Sequence, residues 1–256
     1  MWHSYLINLK KNKARLENSR QFFAAENIAF TRTEAVNGWD LDAQTIARVY
    51  DARAAKSRYK YPLIKPEIGC YMSHLQAWQQ IADSGEKGGF VFEDDFTPLT
   101  PMAPIMEKLS LPDPAAPQWD IVKLFSLREH PKTISTTQLI GTHQLVIPYQ
   151  VPTCLLGYGI TREAAKRLIE ASVPFFRPVD EDHKFFWEKD LHIALVTPSP
   201  LRIGDQQAQT GTIGGERKNS DRNTPFTRIA RSFRSLFYQL DYKLRLHFHR
   251  KFGTRT

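Results

Sequence analysis

Residues 90–96 read FVFEDDF, an apolar run suited to a fully buried strand that ends abruptly in three consecutive carboxylates. Packed like charges repel, so the cluster costs stability unless a cation, a partner or a solvated turn relieves it. In an open α/β sheet, ligands bind just beyond the carboxyl ends of the strands. Hard oxygen ligands at that place suit Mg2+ or Mn2+ bridging phosphates. A solvent-facing turn is the plain alternative, because Asp is a common turn residue. These seven residues leave both open.

The surrounding pattern supplies the sheet. SYLINL near the N-terminus is apolar and β-rich, and KNKARLENSRQFFAAENI places Leu16, Phe22, Phe23 and Ile28 at roughly helical spacing. IAFTRTEAV reads as a second strand stopping at the turn pair Asn37-Gly38. This β-α-β opening predicts an α/β sandwich with a largely parallel sheet flanked by helices. KPEIGCYMSHLQAWQQIADSG, from Lys65, is the strongest helical pattern: Pro66 suits its first turn, Ile68, Met72, Leu75, Trp78 and Ile81 form an apolar stripe, and Gly85 is a terminator. The stretch from Pro98 to Pro117 predicts one short helix, and WDIVKLF another buried strand; a weakly patterned segment follows. TCLLGYGI predicts a strand handing over to a helix capped by Thr161. PVDEDHKFFWEKD predicts a loop and then a helix, and HIALVTP a late strand. No internal repeat is visible.

Charge divides the chain. From Arg217 to Thr256 there are eleven Lys/Arg against Asp221 and Asp241, a net of +9, so of the total +8 the other 216 residues carry −1. A uniformly basic nucleic-acid-binding domain has a different profile. The expected organisation is a body over 1–210, a Gly-rich polar linker over 211–225 and a basic amphipathic tail over 226–256. In the tail Ile229, Phe233, Phe237, Leu240, Leu244 and Phe248 recur every three to four residues, interleaved with Arg228, Arg231, Arg234, Lys243 and Arg245. That pattern predicts a helix lying on an anionic membrane surface. Its alternative is a helix packed on the body with a solvated basic face. The two cysteines, Cys70 and Cys154, form no disulfide framework or metal-cluster pattern and suit a reducing compartment. The apolar stretch at the N-terminus is too short and broken for a secretory signal, and no window reaches the ~18 apolar residues of a spanning helix.

The order LINLKKNKAR, EAVNG, KPEIGCYMSHLQAWQQIADSG, FVFEDDF, GYGITREAAKRL and PVD resembles glycosyltransferase family 25, the bacterial lipopolysaccharide and lipooligosaccharide glycosyltransferases, similar also to the collagen galactosyltransferases. The likeness runs over roughly residues 4 to 205, and EIGC-x-x-SH-x-x-A-W followed by EDD is its most specific part. It implies a GT-A-like fold, a nucleotide-sugar donor (commonly UDP-galactose), an acceptor sugar on a lipid-linked oligosaccharide, and inversion of the anomeric centre. EDD resembles the D-x-D motif of such folds. By that resemblance Asp95 holds a divalent cation (Mn2+ or Mg2+), Glu93 faces the donor ribose or the metal, and Asp94 supports either. The chain departs from a strict D-x-D by placing Glu first.

Asn8, Leu9, Lys10 and Arg15 lie just past the first strand, where GT-A folds bind the nucleotide; the Arg15 guanidinium matches phosphate geometry, and a solvated helix face is the alternative. Ser73 and His74 sit on the long helix, and the resemblance implies that His74 touches the donor or orders the acidic turn. Otherwise a helical His is a satisfied structural residue. An inverting transfer needs a general base for the acceptor hydroxyl. Asp180 in the PVD segment is the first choice, with Glu181 and Asp182 as neighbouring rivals and a helix cap as the structural alternative. Gly157 and Gly159 allow close backbone approach, for packing or for the acceptor.

The expectation is therefore a metal-dependent glycosyltransferase taking hexose (galactose or glucose) from a UDP-sugar. Its location is expected to be cytoplasmic and peripheral at the inner face of a bacterial inner membrane, with no nucleic acid among its partners. Two other classes compete. A HAD-like phosphatase needs a nucleophilic Asp opening D-x-D-x-T, where this chain has Glu93 ahead of Asp95 and Thr97. A non-catalytic nucleic-acid binder would act through the basic tail, and the near-neutral body argues against it.

Overall fold

Strand β1 (His3–Asn8) lies between two parallel neighbours, β2 (Phe30–Glu34) and β3 (Gly88–Glu93). The computed structural model describes residues 1–113, 115–205 and 225–252, the side chains of 225–231 excepted. The linker expected over 211–225 therefore lies, but for Pro225, outside the described residues. Beyond β3 the sheet continues through β8 (Gly157–Thr161), β5 (Ile121–Lys123), β9 (Ile193–Thr197), β7 (His143–Pro148) and β6 (Thr133–Ile140). Only β8 and β7 run against the other six of these eight strands. The mostly parallel sheet expected from the β-α-β opening is present, with one reversed strand at its centre. A second small sheet joins β4 (Phe96–Pro98) to β10 (Leu201–Ile203).

Period-two alternation distributes the strand residues between two apolar layers. Tyr5, Ile7, Val91, Ile121, Tyr158 and Ile193 face helices α4 (Lys65–Asp83), α6 (Arg162–Ser172) and α7 (Val179–Lys184). Leu6, Phe90, Phe92, Val122, Ala194 and Val196 face α1 (Lys13–Ala25) and α5 (Ala103–Ser110). The short helices α2 (Ala43–Val49) and α3 (Ala52–Arg58) begin where Asp42 and Asp51 accept the amides of Thr45 and Ala54. Thr161 caps α6 as its sequence predicts, accepting Ala164 N–H at 3.2 Å.

Two segments differ from their sequence reading. The weakly patterned stretch is a hairpin, β6 and β7, turning at Gly141 with φ +54°. The first half of β6 is exposed on both faces, so its threonines and serine carry little apolar signal. The acidic PVDED segment is not a loop but the first turn of α7, where Asp180, Glu181 and Asp182 complement the positive helix end.

The C-terminal helix α8 (Pro225–Phe252) has two apolar faces. Tyr238, Tyr242 and Leu246 are buried in the same layer as α4 and α7. The predicted stripe of Phe233, Phe237, Leu240, Leu244 and Phe248 points the other way and is exposed. The side chains of Arg228, Ile229 and Arg231 lie outside the described residues.

Glycines set the closest approach. A Cβ on Gly69 of α4 would stand 2.6 Å from Val36 O and Gly38 N, and one on Gly38 would overlap Lys65 O. The EAVNG and EIGC segments thus interlock backbone to backbone. Gly157 and Gly159 are likewise filled by Phe92, Leu201, Phe90 and Val122, which makes their role packing within the sheet. Gly69→Ala is expected to lower unfolding stability by about 2 kcal/mol, on the scale of overpacking a tight contact, in urea titration; an unchanged midpoint would refute the interlock.

Candidate active site

The carboxylates that end β3 go to different sides of the sheet. Glu93 shares the Val91 face and meets α4, where His74 Nε2 lies 3.3 Å from Glu93 Oε1. Asp94, one residue on, meets α1: its Oδ1 accepts from Arg15 Nη1 at 3.0 Å and its Oδ2 from Asn8 Nδ2 at 2.6 Å. Asp95 Oδ2 lies 3.9 Å from Arg15, and its carbonyl accepts Gly204 N–H at 2.6 Å. The repulsion within the triplet is relieved by one buried guanidinium, one amide and one imidazole.

Those partners come from fixed places. Arg15 sits in the first turn of α1, where a cation opposes the helix dipole, and burial against Asp94 offsets that cost. Asn8, the last residue of β1, also donates to Asn12 O and accepts from Arg32 Nε at 2.9 Å. Leu9 is half-buried and Lys10 exposed. Ser73 donates to Gly69 O and accepts Val36 N–H at 2.9 Å, tying α4 to the chain after β2.

His74 is fully buried, and its tautomer is read from its hydrogen-bond neighbours. The Trp78 indole can only donate, and does so to Tyr158 Oη at 2.7 Å. The Tyr158 hydroxyl proton is then free to reach His74 Nδ1 at 2.9 Å. That leaves Nε2 carrying the proton and facing Glu93. Residues i and i+4 of α4 thus aim a hydrogen-bond chain at the first acidic residue. Burial raises the Glu93 carboxyl above its ordinary value; the hydrogen bond from His74 opposes this, and the charges of Asp95 and Asp180 add to it. Cys70, His74 and Glu93 also bring S, N and O ligand atoms within 4.8 Å of one another. Burial and the nearby carboxylates push the Cys70 thiol well up, which keeps it protonated.

The PVDED carboxylates separate by partner. Asp180 Oδ2 accepts Cys154 N–H at 3.0 Å and Oδ1 accepts Glu181 N–H at 2.8 Å, leaving lone pairs on both oxygens. Glu181 is clamped by Lys60 at 2.7 Å and Lys184 at 3.0 Å, with Tyr238 of α8 donating at 3.2 Å. Burial alone raises its carboxyl, but Lys184 and Lys60 outweigh it and hold it below the ordinary range. Asp182 is buried between Lys189, Arg177 at 2.7 Å and the Tyr71 hydroxyl at 2.6 Å. Burial opposes ionisation there, yet Lys189 and Arg177 hold the carboxyl down to about 2. Of the three, Asp180 keeps the most open carboxylate.

Residues 1–182 match the family described as "Glycosyltransferase family 25 (LPS biosynthesis protein)". The chain belongs to glycosyltransferase family 25. Among curated relatives, procollagen galactosyltransferase 2 of Homo sapiens is 27% identical over 187 residues, 69% of this chain and 29% of the relative. Procollagen galactosyltransferase 1 of Danio rerio is 29% identical over 191 residues, 69% and 30% of the two chains. Inactive glycosyltransferase 25 family member 3 of Homo sapiens is 28% identical over 185 residues, again 69% and 30%. The chain spans less than a third of the length of these relatives.

The family 25 match takes in every residue named from β1, α4, the EDD turn and the PVDED segment, and stops at Asp182, so α8 lies beyond it. Sequence reasoning missed Lys123. It points from the C-terminal end of β5 into the same layer as Glu93, fully buried, and donates to the carbonyls of Pro152 and Thr153. Burial pulls its ammonium down to about 8, against the pull of the Asp180 and Glu93 charges. The signal was legible: a lysine inside WDIVKLF interrupts an otherwise apolar buried strand. His183, also missed, is buried and stacks on Trp78 with ring centroids 5.7 Å apart.

The Asp182 pairing has a pH signature. Its folded value lies below the free one of 3.8, so the stabilisation is complete above about pH 4 and is lost as pH falls toward about 2. Asp182→Asn should remove that acid limb and, by leaving Arg177 and Lys189 without their shared carboxylate, cost about 3 kcal/mol or more at neutral pH. Urea unfolding across pH 2–7 measures both. An acid limb unchanged in the variant would assign it to other carboxylates.

Proposed function

We propose that this chain is an inverting glycosyltransferase that moves a hexose from a UDP-sugar to an acceptor sugar of lipopolysaccharide or lipooligosaccharide. The observation that carries the reading is the division of labour among the carboxylates. Glu93 and Asp95 stand at the C-terminal end of β3 with Asp94 locked beneath them, and the Asp180 charge reaches Glu93 from α7. Galactose is the first choice of sugar, from the names of the relatives, and glucose the second.

In this reading the acceptor hydroxyl attacks the anomeric carbon while Asp180 takes its proton, and the bond to the diphosphate breaks on the opposite side. The backbone amides on Asp180 hold it in place for that role, and Lys123 adds positive charge beneath the site. The β1 end and α1, with Asn8, Leu9, Lys10 and Arg15, border the nucleotide.

A divalent cation, Mn2+ or Mg2+, fits the donor set. Glu93 and Asp95 offer hard oxygens; burial first, and then the Asp95 charge, raises the Glu93 carboxyl, while Asp94 is held by Asn8 and Arg15. Glu93 and Asp95 would hold it, and when bound it would neutralise the diphosphate leaving group. The exposed apolar stripe of α8, flanked by Arg234, Lys243 and Arg245, supports peripheral binding at the inner face of a bacterial membrane, where a lipid-linked acceptor would lie. No helix among the described residues is long and apolar enough to cross a membrane.

A panel of nucleotide sugars, scored for binding and hydrolysis with Mn2+ and with chelator, tests the assignment; failure to bind any donor would end it. Asp180→Asn should leave donor affinity nearly unchanged and slow transfer by roughly 100-fold or more. A full rate would move the base elsewhere, and lost donor binding would place Asp180 at the donor. Asp95→Asn should abolish metal-dependent donor binding with the fold intact by circular dichroism, and unchanged metal dependence would remove Asp95 from the ligand set.

A further inference from the structure

Helix α8 and the body enclose a cleft of about 470 Å3, outside the acidic site. Four guanidinium groups line it: Arg58 at the end of α3, Arg177 just before α7, and Arg234 and Arg245 on α8; Asp241 is the one carboxylate in the lining. Their charges are not equally compensated. Arg177 pairs with Asp182 and Glu188, and Arg245 with Glu188 at 2.6 Å and Asp241 at 3.9 Å. Among the described residues, Arg58 and Arg234 have no carboxylate within ion-pair distance.

The arrangement sets the uncompensated Arg58 beside a guanidinium that is already paired. Arg58 and Arg177 share one ring, with guanidinium carbons 4.5 and 4.6 Å from the centroid of Phe176. The two carboxylates on Arg177 neutralise its charge, so of the two guanidiniums on this ring Arg58 is the one left to take an anion. Guanidinium forks match phosphate oxygens in geometry and are weakly hydrated. The rim of the cleft is apolar: Phe237, a lining residue, is 68% exposed, and Phe233 beside it 59% exposed. A site for a soluble anion has no use for such a rim, whereas a phosphate at the surface of a bilayer sits next to acyl chains.

We propose that this cleft binds the phosphate of an anionic lipid headgroup, gripped by Arg58 and Arg234, with Phe233 and Phe237 entering the interface beside it. The inference rests on the membrane-surface reading of α8 and adds a headgroup site to what is otherwise diffuse attraction. Diffuse attraction treats all α8 cations alike; a cleft singles out Arg58, which is on the body and not on α8.

The test is co-sedimentation of the full chain with phosphatidylcholine vesicles carrying either phosphatidic acid or, at matched surface charge, oleate. The protein should prefer the phosphomonoester lipid. Arg58→Gln with Arg234→Gln should abolish that preference and weaken binding to phosphatidic acid vesicles by roughly 30-fold, the scale of two surface cations. Lys243→Gln with Lys251→Gln, which remove α8 cations outside the cleft, should weaken both vesicle types equally and keep the preference. Thermal unfolding checks the fold of each pair. If the Gln pair fails to fold, Arg58→Lys with Arg234→Lys replaces it, retaining charge but losing the fork, and should still reduce the preference.

A preference that survives the arginine substitutions overturns the cleft, as does wild-type protein that binds both vesicle types equally. Binding to neither type overturns the membrane reading itself. Glycerol 3-phosphate or inorganic phosphate that binds in solution as tightly as the vesicles, and displaces them, would make the ligand a soluble phosphoester and overturn the lipid assignment.

Discussion

Asp94 accepting from Arg15 and Asn8 is the contact on which the site depends. Three adjacent carboxylates cannot stay together at a strand end without compensation, and here the middle one is compensated internally. Its partners come from the last residue of β1 and the first turn of α1, so the β1–α1 corner is pinned to the end of β3. Removing one member of a buried pair of this kind costs ~3–5 kcal/mol because the other charge is left buried alone. The cation that would ordinarily disfavour the start of α1 becomes the group that holds the acidic turn. Glu93 and Asp95 are thereby left on either side of an occupied residue, the spacing that a D-x-D motif provides.

Helix α4 secures the opposite face. Gly69 lets it approach the Val36–Gly38 backbone, Ser73 fastens that contact, and His74 and Trp78 carry a directed hydrogen-bond chain through Tyr158 to Glu93. The EIGC-x-x-SH-x-x-A-W block is one mechanical unit: a small residue for approach, a hydroxyl for register, an imidazole for aim and an indole that settles the tautomer. On α7 the same economy sorts three consecutive acids. Asp182 is consumed by Arg177 and Lys189, Glu181 by Lys60 and Lys184, and Asp180 alone is held by backbone amides.

Helix α8 joins this arrangement directly. Tyr238 donates to Glu181 and Arg245 to Glu188, and Tyr242 and Leu246 complete the apolar layer behind α7. The helix is both packed and amphipathic outward, a combination that a single stripe of apolar residues conceals. The residues that dock are two tyrosines and a leucine on the side away from the phenylalanines.

Local patterns in the chain suffice for the α/β class, the order of the main strands and helices, the Thr161 cap and the strand-end position of EDD. Each of these rests on local periodicity or on a residue with one conformational use. The sequence also contained the outward stripe of α8, because an exposed apolar repeat is visible without knowing what lies beneath it. Long-range packing sets the reversed β8 at the centre of the sheet, the β6–β7 hairpin, the docking of α8 and the separate fates of Asp180, Glu181 and Asp182. Carboxylate pairing here draws also on distant partners, Lys60 for Glu181 at a separation of 121 positions and Tyr71 for Asp182 at 111. No local pattern encodes which of three adjacent acids will meet a cation, and the difference between a structural carboxylate and an available one is made entirely by what folds against it.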